Sequence, residues 1–386
     1  MNKINNIREW CIAILIFLFL QPYPIWPVYG SLQSLLTLAL VALCFTSINL
    51  NEIDVRDIIH KGILSMIFVW LAFKLNLSLI GTVGIMLYSV LVLASEKLLL
   101  GAYNKFIKIF VVTTSISAIV YLLVVVLGLN VPYDNIAPLN TLKSYTYNAY
   151  PFLVIPNGEE TFRFFGCFDE PGVIGTICAV ILLMRKFDLK QKENILILIF
   201  GIISFSLFFY LICLIYALLF ARPRYKILVV SLFVALSLLV SQESILYELI
   251  FARMQFEDGQ MVGNNRDIGL DEFWYENFKH SNDYWWGLGP RTKELYNPGG
   301  ASYKDRIIEF GAIFFFAYVG AFIMYGIHKL SPSIKNILIY ILVICSVLFQ
   351  RPFITNITYI LMIYVPILSL SNEYNKQRHI RVQNSI

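Results

Sequence analysis

Long apolar blocks alternate with short charged connectors along almost the whole chain. A hydrocarbon core about 30 Å thick is crossed by roughly 20 helical residues, and most blocks approach that length. The pattern predicts membrane spans at 10–28, 31–48, 62–77, 79–95, 109–129, 172–184, 195–220, 227–241, 308–327, 337–350 and 354–370. The first span has the charged and apolar regions of a signal peptide, but Val28-Tyr29-Gly30 is a poor cleavage site, so we expect the span to be retained.

The composition makes a soluble protein untenable. Hydrophobic residues make up 58% of the chain, charged residues only 14%, and mean hydropathy is +0.69. A soluble domain carries about 25% charged residues. The net charge of +5 comes from loops beside apolar spans, so we expect a lipid bilayer and no nucleic acid as partner. The sequence predicts an all-α integral membrane protein whose single polytopic domain covers 1–386.

The block 195–220 has basic residues on both sides, with Arg185 before it and Arg222 after it. Basic connectors favour the cytoplasmic side of a membrane, yet about 26 residues are too few for two full crossings. We therefore predict a pair of short or re-entrant helices bent near Ser204-Phe205-Ser206, and one long helix is the alternative. Counting the pair gives about twelve membrane segments with both termini cytoplasmic.

This topology leaves two large loops outside, 130–171 and 242–307. The first contains repeated prolines and is predicted to be irregular. The second contains an amphipathic stretch at 267–280, which is predicted to be a helix whose acidic residues form a solvated side. These acidic residues are Asp267, Asp271, Glu272 and Glu276.

The most distinctive polar segment is 161–176, at the outer mouth of a span. It contains an arginine, a glycine, an acidic pair and a proline: Arg163, Gly166, Asp169, Glu170 and Pro171. An arginine at this place can bind an anionic group at the membrane surface. The alternative is structural, because an acidic pair followed by proline is also a favourable helix start.

A second polar segment, 285–311, precedes the span at 308–327. It combines glycines and prolines with cations and aromatic rings. The candidate cations are Arg266, Arg291, Lys304 and Arg306, and the candidate rings are Tyr284, Trp285 and Trp286. Flat aromatic faces suit sugar rings, although an aromatic belt at the membrane interface is an equally simple explanation.

Several other chemistries lack their motifs. The sequence contains no phosphate-binding GxxxxGK[ST], no HExxH and no GxSxG. We see no metal-ligand spacing in the outer loops, so we expect no metal and no cofactor. The spans are nearly free of ionisable residues, which disfavours an ion-coupled transporter.

With these two polar segments, the chain resembles the bacterial O-antigen polymerase (Wzy-type) family. The resemblance rests on Arg-x-x-Gly-x-x-x-Glu-Pro at the mouth of a mid-chain span and on a second outer loop with Gly-x-Gly and Ser-x-x-Asp…Glu-x-Gly. Gly-x-Gly is formed by Gly287 and Gly289, and an arginine, Arg266, precedes it. The Ser-x-x-Asp…Glu-x-Gly pattern, which runs into the next helix, is formed by Ser302, Asp305, Glu309 and Gly311. The family is similar to the O-antigen ligases, which usually carry a histidine after Gly-x-Gly. The part of the loop after Gly-x-Gly contains no histidine, which favours polymerase over ligase.

The resemblance implies a GT-C-type glycosyltransferase in the bacterial inner membrane. It would join oligosaccharide repeat units carried on undecaprenyl pyrophosphate, and a chain-length regulator and a flippase are candidate partners. Arg163 and Arg266 would act on the pyrophosphate, with Glu170 and Asp169 as acid/base candidates. Arg291, Arg306, Lys304, Trp285, Trp286 and Tyr284 would bind substrate. A ligase, or another lipid-linked glycan transferase, remains the alternative, and a glycan-lipid flippase is disfavoured by the large outer loops.

Overall fold

The computed structural model describes residues 2–48, 55–75, 79–139, 145–158, 162–224, 268–289 and 302–383, with scattered positions between 226 and 261. It is mostly helical. The helices are α1 Asn2–Leu18, α2 Tyr29–Phe45, α3 Val55–Lys74, α4 Leu79–Met86, α5 Tyr88–Leu93, α6 Glu96–Tyr121, α7 Pro171–Met184, α8 Lys192–Ile203, α9 Leu207–Phe220, α10 Ile268–Glu272, α11 Asp283–Trp286, α12 Tyr303–Phe310, α13 Ala312–Leu330, α14 Ile334–Gln350 and α15 Ile357–Gln383. A 3₁₀ turn (Tyr23–Val28) precedes α2, and π turns extend α6 (Leu122–Val126) and α10 (Phe273–Phe278).

The predicted membrane protein is confirmed at the level of helices and hydropathy. Three helical stretches of the described chain are long and apolar enough to cross a membrane: Tyr23–Phe45, Glu96–Val126 and Ala312–Leu330. Shorter apolar helices surround them. The predicted span 227–241 lies almost wholly outside the described residues, so the count of twelve stays a prediction.

The predicted bend in the block 195–220 is confirmed. α8 ends at Ile203 and α9 begins at Leu207, with Phe205 between them at φ +48°. Glycines allow the close packing on both sides: a Cβ on Gly201 would lie 2.2 Å from the Phe209 ring, and one on Gly175 would lie 2.4 Å from Ser206 Cβ. The block is therefore a pair of short helices packed against α7, and the single long helix is wrong.

The first large loop differs from the prediction that it is irregular. It contains a three-stranded antiparallel sheet of β1 Asp134–Ile136, β2 Tyr147–Tyr150 and β3 Leu153–Pro156. The β2–β3 turn has Pro151 at its first central position and Phe152 at φ +58° at its second, a pattern that fits a type II turn. The prolines lie at a turn and a strand end, where they do not interrupt the ladder.

Charged side chains join the helices at one end of the bundle, which we call the charged end. Lys105 pairs with Glu9 at 2.7 Å and Lys186 with Glu373 at 2.7 Å. Around α3, Lys61 and Lys329 both contact Glu96, at 3.2 and 3.0 Å. The basic connectors that the sequence assigned to one side of the membrane thus meet at one end of the fold.

The first large loop packs at the opposite end, which we call the loop end. The backbone N–H of Tyr23 donates to the Cys167 carbonyl at 2.8 Å, and the Tyr23 hydroxyl donates to the Tyr150 carbonyl at 2.7 Å. The Asn356 amide donates to the Phe19 carbonyl at 2.9 Å. The connectors α1–α2 and α14–α15 therefore share this end with the acidic pair that precedes α7.

Candidate functional site

The segment 162–170 is held by hydrogen bonds to several other elements. Tyr121 of α6 donates its hydroxyl to the Phe162 carbonyl, and the Phe164 N–H donates to the Ile203 carbonyl at 3.2 Å. The Phe164 ring contacts the Tyr121 ring edge-on, with centroids 5.4 Å apart. Arg163 lies between these two anchored residues and is half-buried. Backbone hydrogen bonds on both sides therefore hold the chain at Arg163.

Gly166 of the same segment has a structural reason to be glycine. Its φ is +56°, and a Cβ there would lie 2.9 Å from Ile174 Cδ1. Its carbonyl accepts the N–H of Val154 at 2.8 Å, which joins the segment to β3. Because a side chain would be strained and crowded here, Gly166 allows the chain to turn into α7.

The acidic pair meets an arginine that the sequence analysis did not identify. Nη2 of Arg351 forms an ion pair with Oε2 of Glu170, which is the residue before α7. Arg351 ends α14 and is only 7% exposed, whereas the Glu170 side chain is 37% exposed. Burial disfavours the charge on Arg351, but attraction to Glu170 and also to Asp169 outweighs it, so the pKa of the guanidinium is raised.

Asp169 is positioned by the sheet of the first loop. The Tyr147 hydroxyl on β2 donates to the Asp169 carbonyl at 2.7 Å. Tyr147 is fully buried, and burial together with the nearby Asp169 charge raises the pKa of its phenol. Tyr147 therefore stays neutral and acts as a fixed donor.

The acidic pair is recessed between longer helices. Ser117 of α6 donates its hydroxyl to the Phe152 carbonyl and faces Gly166. From Ser117, α6 and its π turn continue to Val126, roughly 12 Å farther. Ile119, Leu122 and Val126 on this extension are exposed and apolar, as expected of lipid-facing positions. The acidic pair therefore lies below the level at which the apolar surface of α6 ends.

Short helices produce this recess. α7 and α9 have 14 residues each and α8 has 12, so they are about 18–21 Å long. A hydrocarbon core about 30 Å thick exceeds that length. On its own, α7 is therefore too short to cross such a core.

In the second large loop, Arg306 and Lys304 both have carboxylate partners. Ser302 caps α12 in a capping box with Asp305, whose Oδ2 accepts the Ser302 N–H at 2.9 Å. Nη1 of Arg306 then pairs with Oε2 of Glu309 at 2.6 Å, and both residues are buried. Nζ of Lys304 contacts Oδ1 of Asp271 at 2.5 Å.

The amphipathic prediction for 267–280 is largely confirmed. Asp267 lies outside the described residues, and the helix begins as α10 and continues as a π turn. Trp274 and Phe278 are buried while Glu272 and Glu276 are exposed. Asp271 departs from the solvated side because it binds Lys304, whose Nζ also lies 4.6 Å from the Tyr275 ring centroid.

The Gly-x-Gly and Glu-x-Gly pieces of the second loop pack directly against each other. The N–H of Leu288 donates to the Ile308 carbonyl at 2.8 Å, and that of Gly289 to the Glu309 carbonyl at 3.0 Å. A Cβ on Gly287 would lie 2.5 Å from the Gly311 nitrogen, and one on Gly311 would lie 2.4 Å from the Trp285 carbonyl oxygen. Both glycines have positive φ. We call this contact the glycine crossing.

Of the three predicted aromatic residues, one packs against other rings and two are exposed. Tyr284 is half-buried against Trp274 and Phe278, with ring centroids 5.9 and 6.1 Å apart. Trp285 and Trp286 are 53% and 61% exposed. Lys74 at the end of α3 donates to the Trp286 carbonyl, so this corner is also tied to the bundle.

A ring contact connects the second polar segment to the end of α14. The Tyr303 ring, in the first turn of α12, lies 5.4 Å from the Phe349 ring, two residues before Arg351. The loop end thus contains Glu170, Arg351 and the start of α12. Arg266 and Arg291 lie outside the described residues, so their predicted roles rest on the sequence alone.

Among the described residues, no group of three or more His, Cys, Asp and Glu side chains is placed to hold a metal ion. The chain matches no protein-family model, no curated protein sequence and no solved structure. The functional assignment therefore rests on the residues and on their geometry.

Proposed function

We propose that this protein is a membrane glycosyltransferase that polymerises lipid-linked oligosaccharide repeat units into a surface polysaccharide. The acceptor sugar and the growing chain would both be carried on undecaprenyl pyrophosphate at the outer face of a bacterial inner membrane. One observation carries the proposal: Glu170 of the acidic pair is ion-paired with the buried Arg351 at the loop end of the short helix α7, seven residues after Arg163.

The chemistry of a lipid-linked sugar supports this choice. The leaving group is a pyrophosphate on a membrane lipid, and its developing negative charge needs cations fixed in advance. Arg163 is the described candidate, because a guanidinium binds phosphate oxygens in a bidentate manner. Arg266 and Arg291 are added on sequence grounds. The proton of the attacking hydroxyl needs an acceptor, and Glu170 and Asp169 supply carboxylates beside the same segment.

The second loop would supply the sugar-binding side of the site. Trp285 and Trp286 expose flat faces on which sugar rings can stack, and the Tyr284 ring contacts the Trp285 ring edge-on. Arg306 and Lys304 already have carboxylate partners, so we assign them to shaping this surface and not to the leaving group.

We propose that the charged end faces the cytoplasm, with both termini inside. The test is cysteine labelling in a variant whose native cysteines are replaced. Asn282 and Lys190 are exposed and lie at opposite ends, whereas Ser302 is buried and unsuitable. Asn282→Cys should react with an impermeant maleimide added outside the inner membrane, and Lys190→Cys only after that membrane is opened. The reverse pattern would refute the orientation.

The function is tested with purified protein in lipid vesicles. Given repeat units on undecaprenyl pyrophosphate, it should form a ladder of polymers, and it should do so in excess EDTA because arginines supply the positive charge. Transfer of a single glycan to an acceptor lipid, with no ladder, would indicate a ligase. Loss of activity in EDTA with recovery on adding Mg²⁺ would contradict the metal-free mechanism.

A further inference from the structure

We propose that Glu170 is the general base of the transfer reaction and that Arg351 is the positioning residue that keeps its carboxylate ionised and correctly placed. This inference rests on the proposed function and assigns a role within it. The ion pair between Arg351 and Glu170 is its basis.

The two partners differ in exposure in the way that this assignment requires. Arg351 is nearly completely buried, whereas Glu170 keeps more than a third of its side-chain surface accessible. In the proposed role, a substrate hydroxyl would approach Glu170 from this partly exposed surface.

The surrounding groups favour the ionised state of Glu170. A guanidinium in direct contact stabilises a carboxylate in its charged form, and the start of α7 adds the favourable N-terminal end of a helix dipole. The other titratable groups facing this pair are Asp169, Tyr147 on β2 and Tyr359 on α15. Both tyrosines are buried, and burial and the nearby acidic charge raise the pKa of Tyr147. A group held ionised accepts a proton, so Glu170 fits a base and not an acid.

The reaction step balances with this assignment. The oxygen of the acceptor hydroxyl bonds to the anomeric carbon of the growing chain. The bond from that carbon to the pyrophosphate oxygen breaks, and its electron pair leaves with undecaprenyl pyrophosphate. The hydroxyl proton passes to the Glu170 carboxylate and is later released to water.

Four variants test the assignment: Glu170→Gln, Arg351→Lys, Arg351→Gln and the charge exchange Glu170→Arg with Arg351→Glu. Polymer formation is measured between pH 3 and 9, and thermal unfolding reports whether each variant folds. Glu170→Gln is nearly isosteric and should lose roughly 100-fold or more in rate, as expected for a lost general base. Arg351→Lys should retain part of the activity.

Arg351→Gln should move the acidic limb of the pH profile to higher pH. Without the cation, the ionised Glu170 carboxylate loses the stabilisation of a guanidinium in direct contact, so a higher pH is needed to ionise it. A role in folding alone would not shift this limb. If Arg351→Gln does not fold, Glu170→Gln and Arg351→Lys still decide the question.

The charge-exchanged variant separates function from folding. It can restore the ion pair and the unfolding temperature, but it removes the base, so it should fold and remain inactive. Wild-type activity in this variant, or in Glu170→Gln, would overturn the assignment while leaving the proposed function intact. Failure of the wild-type protein itself to form polymer would instead refute the proposed function.

Discussion

Replacing Arg163 by alanine is expected to abolish chain extension while the protein still folds and inserts. The carbonyl of Phe162 and the N–H of Phe164 are anchored to Tyr121 and Ile203, and both hydrogen bonds remain in the alanine variant. A charge-assisted hydrogen bond to phosphate contributes about 1.5–3 kcal/mol. Losing one that tightens in the transition state lowers the rate roughly ten- to a hundred-fold or more. The measurement is polymer length and rate in the reconstituted assay.

Three further variants are needed to interpret this result. Arg163→Lys should recover only part of the rate, because lysine keeps the charge but lacks the planar fork. Lys279→Ala removes an exposed cation from the second loop and should leave the polymer ladder unchanged. Arg266→Ala is expected to behave like Arg163→Ala. A ladder of normal length from Arg163→Ala would remove Arg163 from the site.

The apolar blocks predicted the helical layout well because composition alone decides which segments enter a membrane. Even the bend in 195–220 followed from basic residues on both sides. The short strands of the first loop were missed because their prolines suggested irregular backbone. The structure places those prolines at a turn and a strand end, where they are compatible with pairing.

The polar residues were harder to interpret, because a sequence gives charges without their partners. Lys304 and Arg306 were predicted to contact substrate, yet they pair with Asp271 and Glu309. Arg351 was not predicted as a site residue, because it is a single charge in a short connector on the predicted outer side. Basic residues favour the cytoplasmic side of a membrane, so an arginine in a connector predicted to lie outside is unusual. That departure was the feature of the sequence that could have identified Arg351 as a site residue.

The glycines of the second loop show that a sequence motif does not reveal which segments are in contact. Gly-x-Gly and Glu-x-Gly contributed to the family resemblance as if they marked a site, but their spacing could not reveal that the two pieces touch. In the structure their backbones cross at distances that no side chain permits. Part of the motif is therefore explained by packing, and the glycine crossing positions Trp285 and Trp286 relative to α12.

Replacing Gly311 by alanine is expected to cause the largest loss of stability among single substitutions in this loop. The new Cβ would lie 2.4 Å from the Trp285 carbonyl oxygen and from the Trp286 carbonyl carbon, and both are backbone atoms that cannot rotate away. The φ of +87° adds strain for any L side chain, of about 1–3 kcal/mol. The bonds from Leu288 and Gly289 to α12 should break as the two backbone segments separate.

Gly320→Ala is the matched control, because Gly320 lies in α13, the helix that follows Gly311, and a Cβ added there would meet no atom within 4 Å. Alanine there should be neutral or raise stability slightly, since glycine inside a helix is unfavourable by roughly 0.5–1 kcal/mol relative to alanine. Thermal unfolding in detergent and polymer formation in vesicles measure both variants. Equal stability and activity of Gly311→Ala and Gly320→Ala would mean that the glycine crossing is not needed, and that Trp285 and Trp286 are held by other contacts.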